Sequence, residues 1–358
     1  MKRIVSLLLT LVILMPALIS CGNGDGKDTT SATTTAAQDS TAPAETTGDT
    51  APELPKEDYT AYLFAYFIGN WPEAERIHYA VSSDGYHFTP LNNGNPILQS
   101  RSGTGCVRDP YIFKGHDGAY YMIGTDMRSE WGWDSNRNLI SWRSEDLVNW
   151  TDETIIKIDG EYETTEGTLR AWAPQAIWNE ERQEYMIYFA LKSDYTRGRT
   201  VMYYAYSPDL KTLSTEPAEL FAPTDGCDAI DADIIYDNGI YYMFFKNESS
   251  GGIHLARSRK MDGGYSYVDS VLVSRPGLAV EGSSTYKLID GSGWLMIADA
   301  YGSGFFTMTY ADTLGDFLDG NFTELKEGED FEFSNFTPRH GSIIPITNEQ
   351  YKALMKAY

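Results

Sequence analysis

Arg108-Asp109-Pro110-Tyr111-Ile112-Phe113, then Tyr120-Tyr121-Met122-Ile123, then Ile140-Ser141-Trp142-Arg143-Ser144: these three runs decide how the chain folds. Each is short and apolar or alternating, as a β-strand requires, and none keeps a helical period. Asp117-Gly118 stands before the second run and offers the backbone of a tight hairpin. We name the three runs inner, middle and outer strand.

The same trio recurs in both directions from this point. Middle-type runs lie at 62–67, 185–189, 241–245 and 294–297, and outer-type runs at 77–82, 202–207, 253–258 and 306–310. Inner-type runs lie at 172–177, 230–235, 280–285 and 339–344. Each inner run carries a small or imino residue, Pro110, Pro174, Ala232, Gly282 and Gly341, at intervals of 64, 58, 50 and 59 residues. Such a period, with several strands per unit, specifies the blades of a β-propeller rather than an unclosed solenoid or a sandwich. The repeat opens on a middle run with no inner run before it and ends on an inner run with no middle run after it. The two ends therefore complete one blade together, which closes the ring and removes its open edge. The expected fold is all-β, a five-bladed β-propeller over 59–358, with a short helix at 348–356.

In a propeller the inner strands line the central channel. The residues just before the small positions, Asp109, Ala173, Asp231, Glu281 and His340, are expected to point into one funnel. Four of these are ionisable, and gathering like charges is costly unless they do chemistry. Any one Asp alone would be read as a turn or cap residue. Three carboxylates in an aromatic funnel suit hydrolysis of a glycosidic bond: one must be protonated to help the leaving group depart, and another ionised to activate water or attack carbon. A third can tune the acid by proximity. The residues alone leave the three roles unassigned.

Taken in order, Asp109-Pro110, Trp172-Ala173-Pro174, Ile230-Asp231-Ala232, Val280-Glu281-Gly282 and Arg339-His340-Gly341 resemble glycoside hydrolase family 43, five-bladed propeller enzymes acting on arabinose- and xylose-containing glycans. The resemblance spans about 59–347. It implies Asp109 as general base, Asp231 as modulator of the acid's pKa and Glu281 as general acid, in a single displacement that inverts the anomeric centre. The implied enzyme is a glycosidase of the α-L-arabinofuranosidase or β-xylosidase type. Ser283 follows Glu281-Gly282, where the family often has Pro. Arg108-Asp109-Pro110 also resembles a motif of fructan-cleaving propellers, but their Asn-Asp-Pro-Asn-Gly stretch and Glu-Cys pair are missing.

Around these carboxylates, Trp172 is expected to serve as a sugar platform. His340 is expected to touch the substrate or to hold a water or a cation in the channel. Arg108 and Arg339 either bind sugar hydroxyls or balance the carboxylates. No cofactor is required for such hydrolysis, and a structural cation such as calcium is one occupant open to the central channel. Three other activities compete: cleavage of galactofuranosides, a glycoside phosphorylase, and a glycan-binding protein without catalysis. A phosphorylase would need a cationic phosphate pocket, and a binding protein would usually lose one of the carboxylates. The loop 129–137, with Trp131 and Trp133, is expected to help close the funnel.

The chain carries a formal net charge of −23, which argues against nucleic acid or an anionic membrane surface as a partner. Its 13% aromatic residues fit a sugar binder and equally fit β-sheet packing. Lys2 and Arg3 precede an apolar run that ends in Leu18-Ile19-Ser20-Cys21, which resembles a bacterial lipobox. Residues 1–21 therefore read as a lipoprotein signal peptide with Cys21 as the lipidated residue. Residues 22–58 are rich in Thr, Ala and Ser and read as a disordered tether. The expected protein is an extracytoplasmic, membrane-anchored monomer that meets the membrane through its lipid only and takes a carbohydrate substrate. Cys106 and Cys227 either pair or remain free thiols.

Overall fold

The computed structural model describes residues 57–273 and 278–358. The expected signal peptide, Cys21 and nearly all of the tether lie outside the described residues. The described chain begins with β1 (Tyr59–Tyr66), β2 (His78–Ser82) and β3 (His87–Pro90). Four complete blades come next in the chain. Blade 1 is β4 (Val107–Lys114), β5 (Tyr120–Asp126), β6 (Asn138–Ser144) and β7 (Trp150–Lys157). Blade 2 is β8 (Arg170–Asn179), β9 (Glu184–Lys192), β10 (Val201–Ser207) and β11 (Ala218–Phe221). Blade 3 is β12 (Ala229–Asp237), β13 (Ile240–Asn247), β14 (Gly252–Ser258) and β15 (Ser266–Val273). Blade 4 is β16 (Glu281–Lys287), β17 (Trp294–Ala300), β18 (Phe305–Ala311) and β19 (Thr323–Leu325), with a short helix α1 (Leu314–Asp319) before its last strand. The chain then adds β20 (Glu332–Phe333), β21 (Gly341–Thr347) and the helix α2 (Asn348–Ala357).

Blade 5 closes the ring as the ends of the repeat require. Its strand order is β20-β3-β2-β1-β21, and β21 pairs antiparallel with β1 through Leu63↔Ile344 and Tyr66↔Gly341. Helix α2 starts on a capping box in which Thr347 and Gln350 satisfy one another's backbone N–H groups.

The middle strands are apolar on both faces because each is sandwiched between two neighbouring blades. Period-2 alternation assigns the faces. In β9, Met186, Tyr188 and Ala190 pack towards blade 3, whereas Ile187, Phe189 and Leu191 pack towards blade 1. In β1, Tyr62 and Phe64 face blade 4, while Leu63 and Ala65 face blade 1. The buried core is thus five clusters, one at each blade boundary.

Polar contacts run around the axis as well. Ile112 N–H donates to Ser342 Oγ at 2.8 Å, Thr285 N–H to Asp233 Oδ2 at 2.7 Å, and Ile343 N–H to Ser284 Oγ at 3.2 Å. Ile234 N–H donates to the Tyr188 hydroxyl, which donates to Gln175. These bonds satisfy backbone groups that the crowded channel would otherwise strand. The Ser-Asp corners at the ends of the outer strands are structural: Ser144 Oγ and Asp146 Oδ1 cap the N–H groups of Leu147 and Asn149, and Ser207 and Asp209 repeat the device. Cys106 and Cys227 are free thiols.

Candidate active site

In blades 1 to 4 the inner strand slips register once, between Arg108 and Tyr111, Trp172 and Gln175, Ile230 and Asp233, and Glu281 and Ser284. Each slip is a β-bulge, which re-aims side chains at a strand end. Its middle residue is left-handed: Asp109 has φ 51°, Ala173 44°, Asp231 55° and Gly282 60°. Strand pairing therefore corrects the alignment made on small residues. Glu281 is the counterpart of Arg108, Trp172 and Ile230, and Gly282 is the counterpart of the two aspartates. The shared requirement is the left-handed backbone, not the size of the next side chain. Blade 4 uses glycine there because a Cβ would come within 2.4 Å of the His340 ring.

Five of the seven residues expected at the site line one pocket: Arg108, Asp109, Trp172, Asp231 and Glu281, joined by Met127, Trp133 and Ile230. His340 and Arg339 stand behind this surface. His340 is buried, with Nδ1 3.3 Å from Asp109 Oδ1 and 3.9 Å from Asp231 Oδ2. Asp109 Oδ2 accepts from Thr125 Oγ1 at 2.8 Å, and Thr125 in turn accepts from Ala173 N–H at 2.8 Å. Asp231 Oδ2 accepts from Gly282 N–H at 3.1 Å.

Burial acts on all three groups, and their neighbours decide the outcome. For Asp109 burial raises the pKa, but contact with His340, Arg108 and Thr125 outweighs it and holds the carboxyl below its ordinary value. For Asp231 burial dominates, and with Glu281 and Asp109 nearby it pushes the carboxyl up to about 7 despite His340. For His340 burial works against the charge, yet Asp231, Asp109 and Glu281 raise the imidazole to about 9. At neutral pH the pocket floor is therefore an Asp109 carboxylate beside a protonated His340, with Asp231 near its midpoint.

Glu281 is held differently. Its Oε1 accepts from Arg339 at 2.9 Å and its Oε2 from Lys246 Nζ at 2.9 Å. Arg339 also pairs with Asp299, and the Lys246 ammonium lies 4.2 Å from the Tyr301 ring centre. Burial lifts Asp299 to about 6 against the pull of Arg339. Sequence reasoning missed Thr125, Lys246 and Asp299. All three lie on middle strands, paired with the residue that opens each bulge: Arg108↔Thr125, Ile230↔Lys246 and Glu281↔Asp299. The signal was a polar residue near the end of an otherwise apolar middle run.

Arg108 and Trp172 form the wall. Arg108 donates to Asn70 Oδ1 at 2.8 Å and to the fully buried Glu75 at 3.2 Å, and its guanidinium covers the Phe67 ring at 4.4 Å. Arg339 also reaches Asn70, at 3.2 Å. Both arginines are thus engaged with carboxylates and with an exposed amide at the rim. Trp172 is covered on one face by Arg170 at 4.2 Å and meets Trp133 edge-on at 6.4 Å. The loop carrying Trp133 is pinned to blade 2, since Asp134 pairs with Arg170 and Lys192.

The residues do not suit a channel cation. Among the described residues no three His, Cys, Asp or Glu side chains converge on a metal position.

Comparison with known proteins bears on the chain's family and fold. An α-L-arabinofuranosidase of Bifidobacterium longum is 29% identical over 255 residues, which is 64% of this chain and 24% of that protein. The xylan β-1,4-xylosidase of Bacillus halodurans superposes with a TM-score of 0.51 at 16% identity, covering 78% of this chain and 54% of its own. A mutant family 43 glycoside hydrolase protein from Bacillus licheniformis gives 0.51 at 14% identity, covering 82% and 56%. The chain thus spans about a quarter of the curated relative and about half of each structure, and the two structures establish likeness of fold. A family model described as a probable glycosyl hydrolase domain, related to glycoside hydrolase family 43, matches residues 57–352. On that match the chain belongs to the glycoside hydrolase 43-related family.

Proposed function

We propose that this protein is a glycosidase that removes arabinofuranose or xylose units from poly- or oligosaccharides by a single inverting displacement. The observation that carries the reading is the meeting of Asp109, Asp231 and Glu281 on one pocket walled by Trp172 and Trp133. Asp109 is the base. The protonated His340 beside it favours the carboxylate, which is the form that can take a proton from the attacking water. Glu281 is the acid, at the pocket wall, and Asp231 tunes it. Trp172 stacks on the sugar ring, while Arg108 and Arg339 orient its hydroxyls through the rim and through Glu281.

One observation favours a second assignment. Both Glu281 oxygens accept hydrogen bonds from cations, whereas Asp231 is the carboxyl whose surroundings favour a proton. Under that assignment Asp231 supplies the proton and Glu281 does not. The lipobox pattern at Cys21 supports an extracytoplasmic, lipid-anchored protein, and Cys21→Ala should move the protein from the membrane fraction to the medium or periplasm.

The reading is tested by release of free sugar from aryl arabinofuranosides, xylosides and galactofuranosides. Hydrolysis of a pentoside, lost in Asp109→Asn, is the expected result. Cleavage of the galactofuranoside alone would replace the sugar. Silence with every substrate while a glycan still binds would replace the activity with binding.

A further inference from the structure

The loop between β1 and β2 brings to the pocket rim an amide that the chemistry of the carboxylates does not use. Asn70 is exposed, and both hydrogen bonds of its side chain are made by Oδ1, which accepts from Arg108 Nη1 at 2.8 Å and from Arg339 Nη1 at 3.2 Å. A guanidinium only donates, so these two bonds fix the orientation of the amide. The oxygen faces the arginines. Nδ2, with its two N–H donors, takes the other branch.

The arginines also fix where that branch lies. Arg108 precedes Asp109 and lines the pocket, while Arg339 Nη2 donates to Glu281 Oε1 at 2.9 Å. Asn70 therefore bridges the neighbour of the proposed base and the residue that grips Glu281. Its loop is held on both sides. Phe67 O accepts from Arg339 N–H at 2.7 Å, and the buried Phe67 ring meets the two guanidiniums at 4.4 Å and 5.6 Å. Glu75 O accepts from Val107 N–H at 2.8 Å, and Ile68 N–H donates to Ala74 O at 3.1 Å to close the turn. Holding two arginines needs only an acceptor, and a carboxylate would hold them more strongly. What an amide adds at this position is a donor. The pocket already carries three carboxyl groups, so a neutral donor at its rim complements a sugar oxygen rather than another acid.

We propose that Asn70 is a specificity-determining residue that donates from Nδ2 to an oxygen of the sugar held in the pocket. This rests on the glycosidase reading and adds a recognition contact to it. The full chain is assayed on aryl arabinofuranosides and xylosides of an acidic phenol, which depart with little help from a proton donor, beside Asn70→Asp and Asn70→Ala. Asn70→Asp keeps an acceptor for both arginines and loses the donor, whereas Asn70→Ala loses both. KM should rise about tenfold in each variant, the size of one hydrogen bond, with kcat little changed. A wild-type KM in Asn70→Asp, with the loss confined to Asn70→Ala, would make Asn70 a spacer for the arginines and overturn the proposal. A loss in Asn70→Asp that grows as the leaving phenol becomes less acidic would also overturn it, because the effect would then run through the proton donor. If the wild type cleaves no pentoside, calorimetric titration with free arabinose and xylose separates the two readings. Binding about tenfold weaker in Asn70→Asp would sustain the donor while the hydrolase reading falls, and equal or absent binding would end both.

Discussion

Asp109 and Asp231 sit on backbone bulges around a shared buried imidazole, whereas Glu281 opens its own bulge and is gripped by two cations from β13 and the segment before β21. On the first side the charge is internal: two carboxyls and one ring divide protons among themselves at the floor of the pocket. On the second, fixed positive groups take up both oxygens of the carboxylate. The difference teaches that equal residue type does not give equal chemistry. Burial and partners give Asp109 the character of a base, make Asp231 a group that changes state near neutrality, and tie Glu281 into an ion-pair network.

The largest expected effect is on the first side. Asp109→Asn should lower kcat/KM on the order of 10² to 10⁴-fold for good and poor leaving groups alike, because water activation is lost in both cases. Steady-state rates on a series of aryl pentosides check this, and substantial residual turnover would remove Asp109 from its role. The next comparison separates the two sides. Loss of the true proton donor should cost roughly 10² to 10⁴-fold on natural oligosaccharides and far less on acidic phenols. If Glu281→Gln shows that dependence and Asp231→Asn does not, the proton comes from the cation-held side. The reverse result places it on the imidazole side.

A third substitution probes the backbone that joins the two sides. Gly282→Ala puts a methyl group at φ 60° and 2.4 Å from His340. It should destabilise the protein by about 1–3 kcal/mol through strain and overpacking. Thermal unfolding reads the loss, and a neutral outcome would mean that His340 moves freely. The smallest effect is in pH. His340 rises from 6.5 to about 9 on folding, so its contribution to stability is complete below pH 6.5, declines between 6.5 and 9, and is gone above. Asp231 rises from 3.8 to about 7, so its contribution is likewise lost as pH climbs through that window. The unfolding temperature should therefore fall between pH 7 and 9, and the slope should flatten in His340→Gln.

Much of this was legible in the sequence because the repeat is a packing requirement. A middle strand flanked by two blades must be apolar on both faces, and Tyr241-Tyr242-Met243-Phe244-Phe245 shows it without help. The strand left over at each end of the repeat gave the closure. The bulges were not legible in the same way. Pro110, Pro174, Ala232 and Gly282 look alike as small or imino residues, but the backbone responds to φ, and that places Gly282 rather than Glu281 level with Asp231. Lys246 and Asp299 escaped notice because each ends an apolar run, where a charged residue is expected to meet solvent. Here the run ends at the pocket, and pairing across to the neighbouring inner strand turns the charge inwards.

Closure of the ring by β21 has a consequence for the history of each molecule. His340 and Arg339, which set the charge around all three carboxylates, stand directly before the strand that seals blade 5. A growing chain can carry Asp109, Asp231 and Glu281 and still lack the His340 and Arg339 that complete the pocket. Hydrolytic competence would arrive in one step, when that last strand docks on β1. Products truncated before it would be inert rather than half active.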